Sequence, residues 1–228
     1  LKITNEKLGI IKKNSNVIIS NQKKIVQSHI KDKLKNKKNN KLFFNNQFKI
    51  IQKNKKKFII EFKNKRFKYN NPKLLGEHQI ENACTAIATI LQLNEIGFSF
   101  SQKIINKGIS KTIWPGRLEM GKLKNIPVYL DGAHNIDGAA QLFKYFSKQN
   151  KKVWLIFGML NNKNIYYYLK KLKPILSGII AIPIPKEKNS FTSEEIFIVC
   201  EKLKIICYKK SLIGCANNFL LSKVKPKT

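Results

Sequence analysis

Two hydrophobic periods alternate along the chain. Near the start, "NEKLGIIKK" reads as a helix end stopped near Gly9, and "NVIIS" after it as a short strand. A lysine-rich helix is expected over about 23–35. From "KLFFNNQFKIIQ" through "KKFIIEFKN" to "RFKYN", apolar and polar residues alternate between Asn-rich turns, the pattern of a small antiparallel unit. Beyond Pro72 the period lengthens. In "IENACTAIATILQLNEIG", Ala83, Ile87, Ile90 and Leu91 recur at helical spacing and Gly97 stops the helix, and a further helix is expected over about 101–110.

"TIWPGRLEM" breaks this pattern, because Pro115 and Gly116 end any helix. Past it, apolar runs "IPVYLD", "VWLIFG", "GIIAIPI" and "IICY" alternate with helical segments near 136–149, 164–174, 193–203 and 211–222. Thr192 followed by Glu195 is a capping box for the third of these helices. Short apolar strands separated by helices imply a parallel sheet covered on both faces, so the fold class is α/β and this half is Rossmann-like. The expected division is 1–111, a linker at 112–116, and 117–228. The last unit ends just after a helix, so its final strand is expected to be missing, and both chain ends look like cuts in a longer protein.

Composition changes this picture little. The formal charge of +32 would ordinarily point to a nucleic acid or an anionic membrane. Here the cations are almost all Lys, with Arg only at 66 and 117, and they travel with abundant Asn and Ile, a bias of codon usage more than of a phosphate-reading surface. No specific nucleic-acid partner is expected. Cys84, Cys200, Cys207 and Cys215 show no C-x-x-C pair, which argues against zinc and for a reduced, cytoplasmic setting. No apolar run approaches the roughly 20 residues that span a bilayer.

The densest chemistry lies in "VYLDGAHNIDGAA", where a strand gives way to a helix. Helix N-termini at the carboxyl ends of parallel strands offer free N–H groups to anions. Gly132 permits a tight turn, His134 can donate to a phosphate, and Asp131 can accept from a ribose hydroxyl or orient the histidine. Equally, Asp131 or Asn135 can simply cap the helix, with His134 an ordinary surface residue. "GRLEMGKL" mimics a P-loop but lacks the final hydroxyl at Leu123 and precedes a strand, so it is set aside. Arg117 is either a ligand contact or a partner for Glu119 or another acid. His78 and Asn82, one turn apart, are either helix caps or ligand contacts.

Taken together, "NEKLGIIK", "LLGEHQIENACTAIA", "WPGRLE", "YLDGAHNIDGAA" and "LIFGMLNNKN", in this order and spacing, resemble the folylpolyglutamate and dihydrofolate synthases of the Mur ligase superfamily. The resemblance implies the latter part of a central ATPase domain followed by a Rossmann-like ligase domain. It implies an enzyme that uses ATP and Mg²⁺ to phosphorylate a folate or pteroate carboxylate, after which the amine of L-glutamate displaces the phosphate. By the same resemblance, Lys7 is carbamoylated and ligates a metal, His78 and Asn82 lie by the adenine, Arg117 reaches the phosphates, and Asp131 and His134 contact the nucleotide. A cytoplasmic monomer is implied.

Ile136 stands where the family usually has proline, and Asn162 and Asn164 flank Lys163 where it often has aspartate. The family's P-loop and remaining metal ligands would precede Leu1, so the chain by itself is expected not to turn over ATP. Two other readings stand beside this one: a Mur ligase acting on a peptidoglycan precursor, and a basic nucleic-acid-binding protein.

Overall fold

The computed structural model describes residues 1–150 and 152–223. The chain divides into two compact units, Leu1–Trp114 and Pro115–Thr228.

In the first unit, helix α1 (Lys2–Leu8) is followed by β1 (Asn16–Ile19), α2 (Lys24–Leu34) and β2 (Asn40–Phe43). β1 and β2 pair in parallel, from Asn16 opposite Asn40 to Ile19 opposite Phe43. The expectation that "KLFF" opens an antiparallel unit is corrected here. A period-two pattern states which side chains are buried and not which strand lies alongside, and α2 is a crossover long enough for parallel pairing. Its apolar face meets the strands through Ile19, Ile30, Leu34 and Phe43.

The antiparallel unit proper is β3 (Phe48–Lys53), β4 (Lys57–Phe62) and β5 (Lys65–Asn70), in that order. One face buries Phe48, Phe58, Ile60, Phe62 and Tyr69 against Ala83, Cys84, Ile87, Ala88 and Leu91 of helix α3 (His78–Glu95). α3 stops as predicted: Gly97 adopts φ 106, its N–H bonds to the Asn94 carbonyl, and the Phe98 N–H reaches back to Leu93. Helix α4 (Gln102–Lys111), capped by Ser101, packs against β5.

The second unit opens with β6 (Glu119–Leu123) and β7 (Ile126–Leu130), an antiparallel hairpin turned at Lys124, whose φ is 53. "IPVYLD" was expected in the parallel sheet. Instead it pairs with the five residues immediately before it, because the two-residue turn makes that the nearest partner, and Pro127 has no N–H for a second ladder. The parallel sheet consists of β8 (Val153–Phe157), β9 (Leu176–Ala181) and β10 (Cys207–Lys209), in the order β10-β9-β8. Ile180 and Ile182 bury against Ala216 and Leu220 of helix α8 (Ile213–Lys223). Ile179 and Ala181 alternate with them, are fully buried, and point the other way.

Helices α5 (Ile136–Ser147), α6 (Ile165–Leu172) and α7 (Ser193–Lys202) complete the unit. The Thr192–Glu195 capping box is present. Gly178 is required, since a Cβ there would lie 2.5 Å from the Trp154 ring.

Candidate functional site

Two sets of predicted residues are described, one in each unit. In the second unit, the segment Gly116–Leu118 is fastened to the turn Asp131–His134 by two hydrogen bonds, and a third closes the turn itself. The Gly132 N–H donates to the Gly116 carbonyl at 2.8 Å. The Asp131 carboxylate accepts the Leu118 N–H at 2.8 Å through Oδ2 and the Ala133 N–H at 2.8 Å through Oδ1. Leu118 pays for this placement with φ 48, strained for leucine, while its side chain is 3% exposed and holds the segment down. Arg117, between the fastened residues, is exposed.

This geometry decides several expectations. Asp131 does not orient His134: both its oxygens are committed to backbone N–H groups. The histidine is set by its own turn, Nδ1 lying 2.9 Å from the Gly132 carbonyl. A carbonyl only accepts, so Nδ1 carries the proton and Nε2 faces outward as an acceptor in the neutral ring. Donation from Nε2 to an anion therefore requires the imidazolium. Asn135 is the N-cap of α5, its Oδ1 accepting the Gly138 N–H at 2.8 Å. Glu119 accepts the Gly116 N–H at 3.0 Å, and no ion pair to Arg117 occurs among the described residues, so a salt bridge does not account for that arginine. Behind the turn, Tyr168 of α6 is buried; burial first, then the Asp131 charge, raises its phenol well above the usual tyrosine range. Its signal in the sequence was only that of a core aromatic. Asn164 caps α6 by accepting the Tyr167 N–H at 3.3 Å, a structural role for a residue of the "LNNKN" segment.

In the first unit, His78 and Asn82 do share the opening turn of α3, joined through a residue the sequence did not single out. Gln79, 6% exposed, places Nε2 2.9 Å from His78 Nε2 and receives the Asn82 Nδ2–H on Oε1 at 3.1 Å. The amide donates, so His78 Nε2 accepts. The His78 ring lies over Gly76, φ 101, where a Cβ would come within 2.6 Å of its Cε1. Only glycine fits that position.

Lys7 is exposed on α1, a helix that buries none of its side chains. No group of three His, Cys, Asp or Glu that could hold a metal occurs among the described residues. No helix among them is long and apolar enough to cross a membrane.

No family model matches the chain. Among curated proteins, the dihydrofolate synthase/folylpolyglutamate synthase of Bacillus subtilis is 34% identical over 109 residues, 46% of this chain and 25% of that protein. The UDP-N-acetylmuramoyl-L-alanyl-D-glutamate–L-lysine ligase of Streptococcus mutans is 33% identical over 132 residues, 54% of this chain and 26% of that protein. Among solved structures, E. coli FolC in complex with DHPP and ADP superposes with a TM-score of 0.83 at 22% identity, covering 98% of this chain and 51% of that one. The chain thus spans about half the length of that structure, and its matched stretches about a quarter of those two curated relatives.

Proposed function

We propose that this chain, a relative of the dihydrofolate and folylpolyglutamate synthases, is part of an ATP-dependent ligase that joins L-glutamate to a folate or dihydropteroate carboxylate. The observation that carries the reading is the fastening of Gly116–Leu118 to the Asp131–His134 turn. Two motifs distant in the sequence thereby present an exposed arginine and an exposed imidazole near the start of one helix, a setting that suits phosphate oxygens.

In this reading the carboxylate oxygen of the pterin substrate attacks the γ-phosphorus of ATP, ADP departs, and the glutamate amine then expels phosphate from the acyl phosphate. Both steps crowd anionic oxygens, so their rate depends on positive charge placed beforehand. Arg117 supplies a permanent charge and His134, when protonated, a second donor. Asp131 serves by shaping the turn, and His78 and Asn82 serve the adenine. A divalent cation would screen the phosphates. The described residues provide no complete ligand set for one, and a carbamoylated Lys7 would contribute a single carboxylate. The domain assignment follows: 1–111 is the later part of a central ATP-binding domain and 117–228 the ligase domain.

The likeness to the lysine-adding ligase favours a second reading, the same acyl-phosphate chemistry with a peptidoglycan precursor as acceptor. Assaying the complete enzyme with pteroate and folate against UDP-sugar precursors separates the two.

For the chain itself, nucleotide binding is the test. A fluorescent ATP analogue should bind weakly, and Arg117→Ala and His134→Ala should each reduce affinity about tenfold, the worth of one charge-assisted contact. Stability should stay within about 0.5 kcal/mol, since both side chains are exposed. Unaltered binding in both variants would refute the assigned roles. Because residues 1–228 contain no P-loop, ADP release should not exceed a blank. Tight, structure-selective and steeply salt-dependent RNA or DNA binding would instead support a nucleic-acid-binding protein.

A further inference from the structure

We propose that the cavity between the two connections entering β1 and β2 is a binding site for an oligophosphate, an anion of several linked phosphate groups. β1 and β2 run parallel with Asn16 opposite Asn40, so the chain arrives at both strands from the same end and the loops before them lie side by side. Between these loops is a cavity of about 490 Å³. Lys12 and Lys13 line it from the loop before β1, and Lys37 and Lys38 from the loop before β2, with Asn36 and Asn39 beside them. No acid lines it.

The two walls are tied together. Asn39 Nδ2 donates to the Lys12 carbonyl at 2.8 Å and to the Ser15 carbonyl at 3.1 Å, and the Ser15 hydroxyl donates to the Lys12 carbonyl at 2.8 Å. One residue further on, Asn40 Nδ2 donates to Asn16 Oδ1 at 2.8 Å. Asn14, at φ 59, makes the sharp turn that Ser15 closes. The backbone carrying one pair of lysines is therefore fixed relative to the backbone carrying the other, which separates these four from lysines scattered over the rest of the surface. All four side chains are exposed, and none of them forms an ion pair among the described residues.

Charge then selects the ligand. Four ammonium groups held around one cavity repel one another, and a multivalent anion between them replaces that repulsion with attraction. Ammonium groups on flexible stems act as point charges, which suits phosphate oxygens arranged in any direction. The lining has no aromatic ring on which a base could stack and no arginine fork to read one, so its chemistry calls for phosphate groups and not for a base. The cavity shares no lining residue with the nucleotide site proposed above, so either can fail without the other.

Calorimetric titration with sodium tripolyphosphate tests the site, at an ionic strength of about 0.15 M where exposed charges are screened. The chain used carries Arg117→Ala, which removes the phosphate contact proposed for the nucleotide site. One saturable binding event is expected. Lys13→Gln with Lys37→Gln takes one charge from each wall and should weaken binding about tenfold. Lys55→Gln with Lys56→Gln takes the same charge from the turn between β3 and β4, outside the cavity, and should change affinity less than about twofold. All four lysines are exposed, so both pairs should keep the native circular dichroism. Absence of saturable binding would overturn the proposal. So would equal losses in the two lysine pairs, which would show that net charge and not the cavity attracts the anion.

Discussion

Asp131 holds Leu118 across thirteen residues of sequence: its Oδ2 accepts the Leu118 N–H while its Oδ1 closes its own turn at Ala133. One carboxylate therefore sets both the strained backbone beside Arg117 and the turn that carries His134. The prediction is a separation of stability from binding within this turn. Asp131→Ala removes two charge-assisted bonds and leaves two partly buried N–H groups unanswered, so the second unit should lose about 2–3 kcal/mol. Asp131→Asn, which keeps one acceptor, should lose about half as much. Urea unfolding followed at Trp154 measures both, and an unaffected Asp131→Ala would show that the Leu118 conformation is held by burial alone.

The first turn of α3 gives the second prediction. Gln79 stands between His78 and Asn82, and Gly76 stands beneath the imidazole. Gln79→Leu keeps the volume but strips both neighbours of a partner, at a cost of about 1–3 kcal/mol. Gly76→Ala requires an L residue at φ 101 and drives a methyl into the His78 ring, so it should cost at least as much and displace that ring. The His78 proton resonances should shift in both variants. An unshifted ring in Gly76→Ala would contradict the packing described.

What the sequence disclosed follows from how locally each feature is encoded. The stop at Gly97, the capping box at Thr192 and the break at Pro115–Gly116 depend on residues within a turn of each other, and they were legible. The partner of "KLFF" was not, because Leu42 and Phe43 would be buried equally in a parallel or an antiparallel ladder. The placement of "IPVYLD" was misjudged because a strand before a helix looks the same whether it joins a parallel sheet or folds back on its predecessor. The candidate site residues were picked out as a set of motifs through a family resemblance, but the contacts they make were not legible. That Asp131 grips Leu118, and that Gln79 joins His78 to Asn82, depends on side-chain geometry that spacing does not encode.

Lys7 gives the third prediction, and its two readouts should part company. The side chain is exposed on a helix that buries nothing, so Lys7→Ala should change the chain's stability by no more than about 0.5 kcal/mol. In the complete enzyme the same change should abolish glutamate ligation, with partial rescue by added short carboxylates, if a carbamate on this lysine is a metal ligand. A fully active variant would leave Lys7 as one more solvated lysine.

Tyr69 gives the last prediction, a base-labile first unit. Its ring is 1% exposed, packed at 6.2 Å from Phe58, and its hydroxyl has no hydrogen-bond partner among the described residues. Burial raises the phenol from 10.0 to about 12. Below pH 10 the phenol is neutral in both the folded and the unfolded chain, so it has no effect on the balance between them. Above pH 10 the unfolded chain releases the proton first, and stability falls until the folded form also ionises near pH 12, by of order 2 kcal/mol or less. Tyr69→Phe removes both the titration and an unanswered buried hydroxyl, so it should be neutral or slightly stabilising at pH 7 and should flatten the decline between pH 10 and 12. Urea midpoints across that range, for the parent and the variant, give the comparison. Parallel declines in the two proteins would mean that the base sensitivity lies elsewhere.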